Sequence, residues 1–339
     1  MRRIQLPTVV LVLMAVMAGM GAGVAGSKPE PVPEPTTWSN LRWLPARPLL
    51  SLGPGSTCGA LAIAERRLLL AEVHSGGVYL SEVDPGTATA RWSLPVAAAV
   101  SGRERTRVQV AVVRDLAWVA WLEGAVGAGT EAPRALKLSS VDLATRRVAA
   151  PVVVATTTDV GAASHNQQLW LAWLNGGEAG TVSVTAASEA LSIVPWKPPT
   201  PGRPVAVALG DMGACLSLPF LVREPERESL WIAECDGPRF RGVRKLRSAR
   251  DLDSPAVCLL RNRMLLLYTE HVGPERGDLA LTVTSVLGGD STTVPYLADG
   301  HRNLYPSLAA REGTAYLVYT AWQGANNPGL FLGEIESTI

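Results

Sequence analysis

The segment ALAIAERRLLLA (60–71) is an apolar run, a short charged turn and a second apolar run. The same figure returns as VAVVRDLAWVAW (110–121), AASHNQQLWLAW (162–173), AVALGDMGACLS (206–217), VCLLRNRMLLLY (257–268) and LAAREGTAYLVY (308–319). The copies start 50, 52, 44, 51 and 51 residues apart. A near-constant period of this length marks blades or solenoid units. Each apolar run is too short for a helix and lacks a 3.6-residue period, so each copy reads as two strands joined by a tight turn.

A third strand follows every copy: GVYLSEV (77–83), ALKLSSV (135–141), TVSVTAA (181–187), SLWIAEC (229–235), DLALTVT (278–284) and GLFLGEI (329–335). A weaker fourth closes most units, as in ARWSLPV (90–96), RVAAPVVV (147–154) and TTVPYLA (292–298). Four short antiparallel strands per unit is the blade of a propeller. The expected fold is therefore all-β, a six-bladed β-propeller. The innermost strands are expected near 60–65, 110–114, 162–165, 206–210, 257–261 and 308–311. The last unit runs out of chain after its third strand, while Arg47 to Leu52 precedes the first copy without a blade of its own. That N-terminal strand is expected to pair beside Gly329 to Ile335 and close the last blade, which would protect two open edges.

Residues 1–26 read as a secretory signal peptide. Arg2 and Arg3 are followed by an apolar run from Val9 to Met17, then by small residues with Gly23 and Ala25 at the −3 and −1 positions of a cleavage site. Residues 27–44 read as a Pro-rich linker, with KPEPVPEPTT at 28–37, and residues 45–339 as the propeller. Export to the periplasm, the cell surface or the extracellular medium follows, with no membrane insertion after cleavage. The chain has 31 Lys and Arg against 30 Asp and Glu, a formal +1. Removing Arg2 and Arg3 leaves −1, no electrostatic footprint for nucleic acid. The mature chain reads as a monomer.

The four cysteines fit an oxidising compartment. Cys215 and Cys235 lie at equal sequence distance from a turn centred near Pro225, so a Cys215–Cys235 disulfide is expected, worth about 3 kcal/mol on the chain-entropy model. Cys58 and Cys258 are expected unpaired. The 4 histidines are scattered and lack the spacing of a zinc site. No cofactor or metal is implied. His165 falls in a strand-to-strand turn and is expected at the surface. Trp118, Trp121, Trp170 and Trp173, on second strands, are expected to pack between blades.

The arrangement resembles the sialidase-like group of six-bladed propellers. The local likeness lies in Asn303-Leu304-Tyr305-Pro306-Ser307-Leu308-Ala309 with Tyr316-Leu317-Val318-Tyr319-Thr320, and in the similar opening Ser254-Pro255-Ala256-Val257. The group's Ser/Thr-x-Asp-x-Gly-x-Thr-Trp box is absent, and Ala46-Arg47-Pro48 stands nearest to its Arg-Ile-Pro segment. The resemblance implies that loops joining second to third strands, and loops joining blades, share the face at the mouth of a central channel. The first kind carries Glu72, His74, Glu123, Asn175, Arg223, Glu270, His271 and Trp322. The second carries Arg105, Arg107, Asp159, Arg203, Asp253, Arg302 and Tyr305. These residues, Arg105 and Asp159 excepted, are the candidate ligand-binding set, for a glycan, peptide or protein, because acids, guanidiniums and aromatics converge there from distant parts of the chain. The alternative is a sialidase-like glycoside hydrolase acting on extracytoplasmic glycans. That reading would need Arg107, Arg203 and Arg302 to grip a carboxylate, and Tyr305 as nucleophile with Glu270 and Asp253 beside it. The missing motifs favour non-catalytic binding, with no catalytic residue assigned.

Overall fold

The computed structural model describes residues 36–38, 40–49, 55–129, 131–175, 181–186, 194–236, 239–273, 276–285, 291–297, 301–322 and 328–338. The proposed leader and most of the Pro-rich segment lie outside these residues. Strand structure begins within the segment read as a linker, with β1 (Thr36–Trp38) and β2 (Leu41–Pro48). A first antiparallel meander follows: β3 (Ser56–Ala64), β4 (Arg67–His74), β5 (Gly77–Asp84) and β6 (Thr89–Ala97). The second is β7 (Arg103–Val113), β8 (Leu116–Ala125), β9 (Arg134–Asp142) and β10 (Val152–Thr157). The third is β11 (Val160–His165), β12 (Gln168–Leu174), β13 (Val182–Ala186) and β14 (Val194–Trp196). In the fourth, a split inner strand, β15 (Arg203–Val207) and β16 (Gly210–Asp211), precedes β17 (Leu216–Arg223), β18 (Glu228–Asp236) and β19 (Arg239–Ala249). Then come β20 (Leu252–Leu260), β21 (Arg263–Gly273), β22 (Arg276–Ser285) and β23 (Ser291–Leu297), and last β24 (Arg302–Arg311), β25 (Thr314–Trp322) and β26 (Pro328–Ser337). Among the described residues the chain is all-β, without a helix.

The last two meanders are joined by a single parallel bridge between Gly277 and Arg302. Inner strands touch one another in chain order, from β3 through β7, β11, β16 and β20 to β24, and β24 touches β3. This arrangement is consistent with a β-propeller. Second strands such as β4, β17 and β21 are buried on both faces, which is why they read as continuous apolar runs rather than clean alternation, while the outer β10 and β19 are half-buried to exposed along nearly all their length. On β17, Leu216, Leu218, Phe220 and Val222 pack with Leu174 and Val184 of the third meander. Leu221, between them in sequence, faces the other way with Leu266 and Tyr268 of the fifth. Each fully buried Leu or Phe contributes about 1.5–3 kcal/mol. Trp121 and Trp173 are buried in such inter-sheet layers, with Trp118 and Trp170 partly buried against them. The layers come close enough to require glycine: a Cβ on Gly161 would lie 2.7 Å from the backbone of Ala208 and Leu209 in the neighbouring sheet.

β2 lies antiparallel beside β26, pairing Arg47 with Leu332 and Pro48 with Phe331. The partner strand is longer and starts earlier than the expected Arg47–Leu52, reaching back to Leu41 opposite Ser337. Leu49 N–H continues the pairing to Leu330 O at 2.8 Å, and residues 50–52 lie outside the described set. Arg47 tightens this seam, donating to Gly86 O at 2.7 Å, Pro85 O at 2.6 Å and Glu334 Oε1 at 2.9 Å.

Two expectations fail on packing. Cys215 and Cys235 are both free thiols. The residue opposite Cys235 is Leu216, because the β17–β18 turn is centred between residues 225 and 226 (Arg223 pairs with Glu228). That half-residue offset puts Cys215 in the layer against the fifth meander and Cys235 in the layer against the third. A one-residue slip in a strand exchanges faces. His165 does sit at the β11–β12 turn, but it is buried rather than at the surface. Its Nδ1 lies 2.9 Å from Asp211 Oδ1 in the next sheet, and Nε2 lies 3.0 Å from Asn166 Nδ2.

Candidate functional site

Several inner strands carry a bulge near the same end. In β7 the register slips between Thr106 and Gln109, in β20 between Asp253 and Ala256, and in β24 between Leu304 and Ser307. The first extra residues are Arg107, Ser254 and Tyr305, with φ of 52°, 52° and 54°. Glycine is the usual occupant of this left-handed region, and a larger residue there costs on the order of 1–3 kcal/mol. Proline follows Ser254 and Tyr305, which suits a bulge because proline has no N–H to leave unpaired. The consequence is a re-aimed side chain, and all three point to one place.

Arg107 is the hub. Its Nη1 donates to Ser254 Oγ at 2.6 Å and its Nη2 to Asp253 Oδ1 at 3.1 Å, and its Nε pairs with Asp159 Oδ1 at 3.2 Å. The guanidinium lies 4.7 Å from the centroid of the Tyr305 ring. Ser254 Oγ also donates to Asp253 Oδ1 at 2.8 Å, and Asp159 Oδ2 accepts from Val207 N–H at 2.9 Å. His271 Nε2 stands 3.9 Å from Asp253 Oδ2. The cavity left among these groups is about 20 Å³, lined by Arg107, Asp159, Ser254 and Tyr305 with Cys58 and Val207 behind. That is room for a water and not for a sugar ring.

The electrostatics follow from sharing one cation. Burial alone would push Asp253 up, but the Arg107 charge and the hydrogen bonds from His271 and Ser254 more than offset it and hold the carboxyl well below its ordinary range. At Asp159 burial dominates over Arg107 and the Val207 N–H, and the carboxyl is raised. Arg107 is stabilised as a cation against its burial by Asp159, Asp253 and Tyr305. The Tyr305 phenol is raised by burial against the opposing Arg107 charge. His271 is raised by its hydrogen bond to Asp253, against burial.

Beside this hub, Arg302 begins β24 opposite Trp322 at the end of β25. Among the described residues, the Arg302 Nε–H and the Trp322 indole N–H are both buried without a hydrogen-bond acceptor. The remaining candidates are committed elsewhere. Glu72 is fully buried and accepts from Ser56 Oγ at 2.6 Å, with His74 Nδ1 3.3 Å from the same hydroxyl. Glu123 is buried between Arg105 at 2.9 Å and Lys137 at 2.5 Å. Arg105 also donates to the carbonyls of Gly76, Ala97 and Ala98, so it clasps the first meander to the second. Asn175 clasps its own loop through Thr181 at 2.8 Å and Ser183 at 2.7 Å. Arg223 pairs with Glu228 and Glu131, and the exposed Arg203 pairs with Glu131 at 3.5 Å. Glu270 pairs with Arg247 at 3.2 Å. The structure thus gathers Arg107, Asp253, His271 and Tyr305 and adds Asp159 and Ser254. Ser254 was not a candidate; its one sequence signal is the Ser-Pro pair at the repeat position of Tyr-Pro.

Comparison with solved structures gives a protein of unknown function from Dyadobacter fermentans at TM-score 0.67 and 10% identity, covering 88% of this chain and 100% of that one. Trypanosoma rangeli sialidase in complex with the inhibitor DANA matches at TM-score 0.55 and 10% identity, covering 85% and 57%. The SapL1 lectin in complex with alpha methyl fucoside matches at 0.50 and 12%, covering 83% and 96%. The chain spans little more than half the length of the sialidase. At these identities the likeness shows a sialidase-like fold alone. No family model matches the sequence, and no curated protein does.

Proposed function

We propose that the chain is an exported six-bladed β-propeller, closed by its N-terminal strand, that binds a glycan at its channel mouth without cleaving it. The observation that carries this reading is the strained trio Arg107, Ser254 and Tyr305 at equivalent bulges, whose own cavity holds only a water, so that the glycan would lie outside it, beside Arg302 and Trp322. Backbone strain that recurs at one end of the strands indicates a built site. Arg302 and Trp322 supply buried donors without acceptors beside it, and Asp253 and His271 supply charge and polarity. Sugar hydroxyls call for such a mixture of donors, acceptors and ring faces. The neighbouring folds include a sialidase and a lectin in complex with a fucoside, which supports a glycan by analogy.

Cleavage of the sialidase type is disfavoured by the same geometry. Arg107 is saturated by two carboxylates and Arg203 is held by Glu131, so three free guanidiniums do not converge. Tyr305 has a guanidinium against its ring and a raised phenol, and Glu270 is paired with Arg247. On a glycan array the mature chain should give signals that fall about tenfold or more in Arg302→Ala, the loss of a hydrogen bond from a charged group, and up to about tenfold in Trp322→Ala, the loss of one from a neutral indole. An array without signal overturns the ligand class. A fluorogenic sialoside should release no fluorophore, and turnover abolished by Tyr305→Phe or Glu270→Gln overturns the non-catalytic reading.

A further inference from the structure

A second cavity, of about 260 Å³, opens at the other end of the strands, between the β3–β4 and β24–β25 hairpins. β4 spans Arg67 to His74, which separates its ends by about 23 Å at the rise of an extended chain. The cavity is thus remote from the Arg107 hub, and a ligand there is independent of the glycan reading. Its polar lining is Arg66, Arg67, Arg311, Glu312, Thr314 and Tyr316. Both hairpins turn in two residues, Glu65-Arg66 and Glu312-Gly313, with Ala64 paired to Arg67 and Arg311 to Thr314. Tight turns of this length fix the backbone from which these side chains project.

The charges do not balance. Three guanidiniums meet one carboxylate, a local excess of +2. Glu312 is bound to Arg311 at 2.7 Å and feels the Arg66 charge, whereas among the described residues neither Arg66 nor Arg67 makes a hydrogen bond or ion pair. Outside the lining, Asp84 pairs with Arg91 at 2.8 Å and Glu334 with Arg47 at 2.9 Å, while the exposed Glu65 of the same turn does not line the cavity. A guanidinium presents paired donors that match two oxygens of one anion. Two free forks with the Thr314 and Tyr316 hydroxyls offer more donors than a single carboxylate accepts. A phosphate monoester has three acceptor oxygens and roughly −1.5 to −2 charge at pH 7, which matches the unpaired +2. The volume falls just below the usual range for drug-sized ligands, which limits the organic part to a few atoms.

We infer that this cavity is a binding site for a small, soluble phosphate monoester, gripped by Arg66 and Arg67. Isothermal titration of the mature chain with glycerol 3-phosphate at pH 7.5 tests it, with glycerol and methyl sulfate as controls. Binding is expected for the phosphate, about tenfold weaker binding for the singly charged sulfate, and none for glycerol. Affinity should fall about tenfold or more in each of Arg66→Ala and Arg67→Ala. It should also fall below pH 6, where the monoester loses its second charge. Arg66→Gln, neutral and of similar length at an exposed turn, gives the same test should an alanine variant misfold. Absence of heat with millimolar glycerol 3-phosphate, equal binding of glycerol, or native affinity in these variants would each overturn the assignment.

Discussion

Arg107 connects residue-scale strain to residue-scale charge. Its left-handed backbone brings one guanidinium against two carboxylates, the buried Asp159 and the partly buried Asp253. Removing one partner of such a group leaves the others buried and uncompensated, at a cost of about 3–5 kcal/mol. Arg107→Met should therefore lower the unfolding free energy by that amount near neutral pH, read as a fall in the urea midpoint at unchanged slope. The loss should shrink in acid as Asp159 and Asp253 take up protons. His271 adds a second titration. Its folded pKa is raised above the ordinary 6.5 by Asp253, and Asp251 adds to this while burial and Arg302 oppose it. The protonated form is favoured in the folded state, so this contribution is fully present below about pH 6.5 and is lost as pH rises through the folded value. The midpoint should fall over that interval in the native chain and stay flat in His271→Gln.

Single strands and hairpins set the spacing between sheets. Gly161 lets β11 approach the backbone at Ala208 and Leu209, where a Cβ would stand at 2.7 Å. Backbone atoms cannot rotate away as a side chain can, so Gly161→Ala must separate two packed layers. The expected loss is about 1–3 kcal/mol, read as a shift in denaturation midpoint without loss of strand signal by circular dichroism. The β17–β18 hairpin teaches the complementary lesson. Cys235 lies on β18 and Cys215 one residue before β17, and the turn centre, half a residue from Pro225, sends the two thiols to opposite faces. Turn centres at that precision depend on which backbone pairs form, and spacing alone does not give them.

At the scale of the whole molecule, β26 would present an unpaired edge without β2. Open edges of this length recruit other chains. Deleting residues 40–49 should yield aggregated material in size-exclusion chromatography, because it removes the β2–β26 ladder and the Arg47 bonds to Pro85 and Gly86 together. A monomeric, cooperatively folding deletion variant would contradict that role. This long-range pairing also explains why the linker was read too far into the chain. Pro-rich sequence before Thr37 and an isolated strand after it look alike until a partner nearly 300 residues away is supplied.

The sequence by itself determined the all-β meander. Strands buried on both faces must be apolar along their length, and tight turns must be polar, so the pattern survives in one dimension. The candidate centre was legible only in part. Arg107, Asp253, His271 and Tyr305 were nominated by their place in the repeat, but Glu72, Glu123 and Asn175 were nominated on the same ground and serve packing. The inner strands were read as starting near 110, 257 and 308, whereas they begin at Arg103, Leu252 and Arg302. The missed halves are where the bulges lie, since Thr106-Arg107, Ser254-Pro255 and Tyr305-Pro306 interrupt the apolar pattern that defines a strand. Tertiary structure alone decided which charges meet, which thiols part and where the unpaired Arg66 and Arg67 open. Each depends on backbone register and on contacts between sheets, and neither leaves a mark on local sequence.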